Sequence, residues 1–314
     1  MWRPESDLEQ PNRLIVKLEQ HLLQVLNQRQ NIAWLFEQPE WTQLCQWVDT
    51  NPFQAFAFAR IKSGHAMTPR HGINVFLMLR AWLIHSHKVG SKLEPLSQAA
   101  LLHDLGHWRP PDLVYVFAPF SHEQARLKWK HCQVDWDEGF FGDEARQWIN
   151  EHHEQPNQKG YPQQIKPHVL SQMLRIVDVF DGLATPRRFR VAYEYVDALR
   201  LMKRWAGHHY ERGLLKSLIQ FFGTYPVGTY VRLTNKSLAI ALAPCAEGQH
   251  YLQLSDQEGT ALPFNHEAIL LNPQVESAAK SWQWLPLPDA WKGLRPDLVN
   301  LPRAYFDELE ETEP

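Results

Sequence analysis

Cysteine is scarce in this 314-residue chain. Its three cysteines, Cys45, Cys132 and Cys245, lie far apart, are odd in number and form no CxxC pair. That pattern argues against a disulfide framework and against a zinc ribbon. An excess of one charge is also missing, since 32 Lys and Arg face 35 Asp and Glu for a formal net charge of −3. With no basic stripe, duplex nucleic acid is not expected as a main partner. Long apolar runs are lacking too, and none reaches the ~18 residues of a membrane span. The first residues, from Met1 to Asp7, carry no signal-peptide core. The expectation is a cytoplasmic protein with no membrane partner.

Apolar residues make up 44% of the chain, enough for one large domain or two smaller ones. Sixteen histidines and thirteen tryptophans are present, and the placing of the histidines matters more than their number. Residues 13–30 carry Leu14, Leu18, Leu22, Val25 and Leu26 at helical spacing, a helix packed on the body or on a second copy in a homodimer. Short aromatic-rich helices follow, broken at Pro39 and Pro52. From Thr68 to Leu83 a helix with an Ile73, Phe76, Leu77, Leu79 face bears His71 in its first turn. Further helices are expected over 121–132, up to His153, over 167–183, 191–206 and 209–222.

The texture changes at Gly223. Short β-like runs at Thr229, Leu238 and Tyr251 are separated by turns, which reads as a small antiparallel appendage. The expected organisation is an N-terminal helical segment (1–66), a helical domain (67–222), a β subdomain (223–272) and a Trp- and Pro-rich tail with an acidic end (273–314). The fold class is mainly α.

The chemistry centres on Ala99-Ala100-Leu101-Leu102-His103-Asp104-Leu105-Gly106-His107. Pro95 suits the first turn of a helix and Gly106 its end, which places His103 and Asp104 on the last turn. A buried imidazole beside a buried carboxylate is costly unless a charge compensates both. A divalent metal does so, because neutral imidazole and carboxylate are standard ligands. Other candidates follow in order: His71, His131, the adjacent His152 and His153, and Asp178. They come from separate helices of one bundle, a usual way to build a metal site in a helical core. Adjacent helical side chains point about 100° apart, so His152 and His153 reach one site only if it wraps the helix end.

Three segments together resemble the HD-GYP family, a branch of the HD-domain phosphohydrolases. They are His103-Asp104-Leu105-Gly106, His152-His153-Glu154 followed by Gly160-Tyr161-Pro162, and Val177-Asp178-Val179-Phe180-Asp181 running to Arg187 and Arg190. The resemblance spans roughly Thr68 to Phe222. It implies an HD helical bundle that hydrolyses cyclic di-GMP with two divalent metals, iron or manganese. His71, His103, Asp104 and Asp178 would hold one metal, and a bridging Asp104 would share the second with His131, His152 and His153. His122 rivals His131, which is preferred because Lys130 precedes it as in the family. A hydroxide bridging the two ions would attack phosphorus.

Departures accompany the resemblance. Met67 stands where members with a third metal carry a glutamate. His107 replaces the lysine that commonly meets a substrate phosphate; it would touch substrate and serve the leaving group. The family's Asp-Gly-x-Gly-Tyr-Pro loop reads Asn157-Gln158-Lys159-Gly160-Tyr161-Pro162. Arg187 and Arg190 fit as clamps on a dianionic ligand.

The leading expectation is therefore a cyclic di-GMP phosphodiesterase, with Asp104 and His107 catalytic and Arg187, Arg190, Tyr161 and His107 on substrate. The alternative is a cyclic-dinucleotide sensor or interaction module. In the family the GYP region is associated with diguanylate cyclase (GGDEF-type) domains, which makes Tyr161 a docking residue in that reading.

Overall fold

The computed structural model describes residues 9–27, 29–59, 67–86, 89–108, 130–133, 141–185, 192–245, 247–262 and 268–279. Among them are ten α-helices followed by a five-stranded sheet. In chain order the helices are α1 (Glu9–Leu26), α2 (Ile32–Glu37), α3 (Pro39–Thr50), α4 (Pro52–Phe58), α5 (Met67–Ser86) and α6 (Leu93–Leu102). Then come α7 (Asp143–Glu151), α8 (Val169–Ala184), α9 (Tyr195–Trp205) and α10 (Arg212–Phe222). The mainly α reading holds.

The apolar stripe of α1 is buried, with Leu14, Ile15, Leu18, Leu22 and Val25 turned inward. Pro39 and Pro52 open α3 and α4, where a missing N–H costs no intrahelical bond. Helix α5 is buried on nearly every side and touches α1, α3, α4, α6, α8 and α10. It is the axis of the bundle. The first four helices share one continuous core with those that follow, so the described residues between Glu9 and Ala59 pack into the body. Charged ties reinforce this: Arg80 on α5 binds the Asp49 carboxylate at 2.6 and 2.8 Å, and Arg70 reaches Glu19 at 2.6 Å.

Gly72 on α5 decides how closely two site-bearing helices approach. A Cβ there would overlap the Leu101 carbonyl of α6, so only glycine lets the backbones meet. One residue away on each helix are neighbours of the site, His71 and Leu102.

The strands are β1 (Tyr230–Leu233), β2 (Leu238–Cys245), β3 (Gly248–Gln253), β4 (Ile269–Leu271) and β5 (Val275–Ala278), in the order β4-β3-β2-β1-β5. All pairs are antiparallel. The sheet extends past residue 272, into the stretch read as tail. Val275-Glu276-Ser277-Ala278 has no alternating apolar pattern, and it joins through ladder pairing such as Val231 with Ala278.

Candidate metal centre

Helix α6 ends at Leu102, four residues before Gly106, so His103 caps the helix and Asp104 follows it, which corrects the expectation that both lie on its last turn. His103 is the C-cap, and its Nδ1 donates to the Ala100 carbonyl at 2.8 Å. The cap fixes the tautomer and turns Nε2 toward the interior. His152 repeats the device at the end of α7, where its Nδ1 donates to the Ile149 carbonyl at 2.5 Å. Because His152 is the cap and His153 lies just beyond it, the pair does wrap a helix end.

The carboxylate of Asp104 lies between two sets of imidazoles. Its Oδ2 is 3.6 Å from His71 Nε2 and 3.8 Å from His103 Nε2. Its Oδ1 is 3.3 Å from His131 Nε2 and 3.8 Å from His152 Nε2. Asp178 Oδ1 adds to the first set at 3.1 Å from His71 and 3.7 Å from His103. His153 Nε2 adds to the second at 3.1 Å from His131 Nε2.

All seven residues expected as ligands therefore meet. His103 and His152 are fully buried, and the Nε2 of each has no hydrogen-bond partner. Such atoms are costly unless something compensates them. Ligands ~2.1 Å from one ion stand roughly 3–4 Å apart, which is the spacing found here. The donor set and its orphaned nitrogens fit divalent metal ions.

Electrostatics divide the cluster. Burial alone would lower the His71 pKa, but the hydrogen bonds to Asp178 and Asp181 and the charge of Asp104 raise it to about 10. Burial likewise opposes a charged His103, and the Asp104 and Asp178 carboxylates overcome it and raise its pKa. Asp178 is pushed upward by burial, yet His103 and His71 hold it well below the usual carboxylate range. On the other side burial lowers His152, and burial plus the neighbouring His152 lowers His153 further. Protons thus balance the carboxylates on one side, while on the other side the His152 and His153 imidazoles favour the neutral form.

Two buried glutamates build the frame. Glu151 Oε2 accepts from the His168 N–H at 2.6 Å and from Ser171 Oγ at 2.8 Å, tying the end of α7 to the start of α8. That tie brings His152 and His153 to the helix bearing Asp178. Glu154 Oε1 accepts from the N–H groups of Gln163 and Gln164 at 2.6 and 3.0 Å and closes the following loop. Inside that loop a Cβ on Gly160 would overlap the backbone of His153 and Glu154, so glycine is required by close approach. Tyr161 stacks on the His153 ring.

Local turns shape the altered loop. Gln158 adopts φ 58°, the left-handed conformation that suits the glycine of the family pattern. Asn157 Oδ1 accepts from the Lys159 N–H at 3.0 Å, an Asx turn that an aspartate would also make.

Two functional candidates were missed from the sequence. Asp181 Oδ2 accepts from His71 Nδ1 at 2.7 Å and is itself oriented by Thr185 Oγ1. Its spacing of three from Asp178, on one helix face, was the available signal. Cys132, beside His131, has its Sγ 3.4 Å from that ring's Nε2, and burial pushes its thiol pKa up. The expected helix over 121–132 is described only as the 3₁₀ turn Lys130–Gln133. Arg187, Arg190 and the rival His122 lie outside the described residues. Of His107, only the backbone on the 3₁₀ turn Leu105–Trp108 is described.

Comparison with known proteins finds similar chains. Residues 70–185 match the HD domain family. Over 285 residues, 82% of this chain, the sequence is 23% identical to Cyclic di-GMP phosphodiesterase PA4108 of Pseudomonas aeruginosa. The match spans 65% of that relative's length. The fold is similar to that of Bd1817, described as an HDG"Y"P protein from Bdellovibrio bacteriovorus. That likeness has a TM-score of 0.54 at 20% identity, covering 69% of this chain and 72% of the other. With the His-Asp pair, the histidines and the bundle in place, residues 70–185 read as an HD domain within a chain similar to these two proteins.

Proposed function

We propose that this protein is a metal-dependent phosphodiesterase that hydrolyses cyclic di-GMP at a two-metal centre. The observation that carries the reading is the division of the Asp104 carboxylate, with Oδ2 toward His71 and His103 and Oδ1 toward His131 and His152. A carboxylate so placed suits a bridge between two ions. His71, His103 and Asp178 would complete one position, and His131, His152 and His153 the other. Two ions there, iron or manganese by resemblance, would supply charge to the phosphoryl oxygens and acidify the attacking water. The similar phosphodiesterase of P. aeruginosa supports the choice of substrate.

The chain's own residues supply the rest. Asp181 holds the His71 ring in place, and Tyr161 holds His153 by stacking. Arg187 and Arg190 are proposed to clamp the substrate phosphates bidentately. His107 is proposed to hand a proton to the leaving oxygen. Among the described residues no helix is long and apolar enough to cross a membrane. A cytoplasmic setting is part of the proposal.

A second reading is a cyclic-dinucleotide sensor that binds GGDEF-type partners. Its support is that the loop departs from the family at Asn157 and Gln158, close in sequence to Tyr161, with the Gln158 side chain exposed. Hydrolysis of cyclic di-GMP by anaerobically purified protein, with bound metal quantified on the same sample, separates the two. Turnover with about two metals per chain, abolished in Asp104→Ala, supports the enzyme. Full occupancy without turnover on cyclic dinucleotides would leave the sensor.

A further inference from the structure

The second half of the metal cluster contains a sulfur. Cys132 Sγ, His131, His152 and His153 each place one donor atom such that all four lie within 4.8 Å of one another. Cys132 is fully buried, its Sγ 3.4 Å from His131 Nε2, which is itself 3.1 Å from His153 Nε2. For an ion with sulfur ~2.3 Å and nitrogen ~2.05 Å away, adjacent donors stand roughly 3–3.6 Å apart. An independent observation points to a ligand at the same place. His152 Nε2 is buried, has no hydrogen-bond partner and faces this group.

We infer that Cys132 is a thiolate ligand of the second metal position, so that this position selects a thiophilic divalent ion such as zinc, ferrous iron or cobalt over manganese or magnesium. The inference rests on the proposal that the cluster holds metals, and not on the identity of the substrate. Thiolate is a soft donor and stabilises borderline ions, whereas carboxylate and water suit the hard ones. A buried thiol resists ionisation by itself, but a coordinated one is deprotonated outright. As the metal–sulfur bond forms, the thiol proton leaves to solvent and no electron is transferred. The first position, with His71, His103, Asp104 and Asp178, has no sulfur among its donors. The two positions should therefore differ in the ions they retain.

Cobalt(II) substitution of the full chain tests this, because a cobalt–thiolate bond gives a charge-transfer band in the near ultraviolet that nitrogen and oxygen ligands do not. The expected result is that band in the cobalt-loaded protein, unchanged in Cys45→Ser and lost in both Cys132→Ser and Cys132→Ala, with cobalt still bound at the first position. Bound cobalt without the band overturns the inference while leaving the metal centre intact. Persistence of the band in the Cys132 variants also overturns it. Failure to bind cobalt at all removes both the inference and the proposed centre. Hydrolysis of cyclic di-GMP, measured separately, bears on the proposed reaction alone.

Discussion

The His153 imidazole and the Tyr161 phenol ring stack with centroids 4.6 Å apart and planes 27° apart. A ring at the end of the loop thereby fixes the rotamer of a metal-ligand candidate whose backbone lies outside helix α7. Replacing Tyr161 with phenylalanine should leave stability and metal content near those of the parent. Tyr161→Ala should cost about 0.5–1.5 kcal/mol, the range of an aromatic pair, and loosen the second metal. Urea denaturation and metal analysis of both variants check this, and equal behaviour of the two would remove the stacking argument.

Asp181 accepts a hydrogen bond from His71 Nδ1 while the other ring nitrogen faces the site. Asn in its place could still accept that bond but would not raise the basicity of the ring. Asp181→Asn should weaken the first metal roughly 10–100-fold, as loss of such supporting carboxylates does elsewhere. Competition with a chelator of known affinity measures it. An unchanged constant would make Asp181 a packing residue only.

Gln158 occupies left-handed backbone that costs a non-glycine residue ~1–2 kcal/mol. The greater freedom of glycine in the unfolded chain offsets part of that cost. Gln158→Gly should therefore stabilise the protein by up to about 1 kcal/mol. A lower denaturation midpoint would instead assign the exposed Gln158 side chain a contact of its own.

Protonation of His71 stabilises the protein after chelation. Its folded pKa, about 10, lies above the ordinary histidine value, so its contribution is complete below that ordinary value. It is lost as pH rises through about 10. His152 and His153 act in the opposite sense, because their folded pKa values are lowered. Below the ordinary histidine value the unfolded state takes up protons that they refuse, and stability falls with pH. Thermal melts of chelated protein should give a dome, declining on the alkaline side through His71. In His71→Gln the alkaline decline should shrink, and a parent curve that stays flat to pH ~10 would contradict the assignment.

Much of the bundle was legible in the chain because burial and helical period are local facts. The stripes on α1, α5 and α8 are visible as spaced Leu, Ile and Val, and each is buried as that spacing requires. Strand β5 was not legible, since ladder pairing to an edge needs no apolar alternation. The end of α6 was placed too late because Gly106 is a strong local stop signal. The caps on Ala100 and Ile149 are made by the very histidines that face the site, and no spacing rule announces them.

The identities of the seven candidate ligands, and their order along the chain, were determined by sequence alone. Imidazole and carboxylate chemistry restricts what such a set can do. Which oxygen of Asp104 faces which histidines was decided only by tertiary structure. So were the place of Asp181 behind His71 and the arrival of Cys132 among the second set. The reason is geometric. These contacts join α5, α6, α7, α8 and the Lys130–Gln133 turn, and their distances depend on how closely the backbones pack. Gly72 against Leu101 and Gly160 against His153 set that closeness by the absence of a side chain.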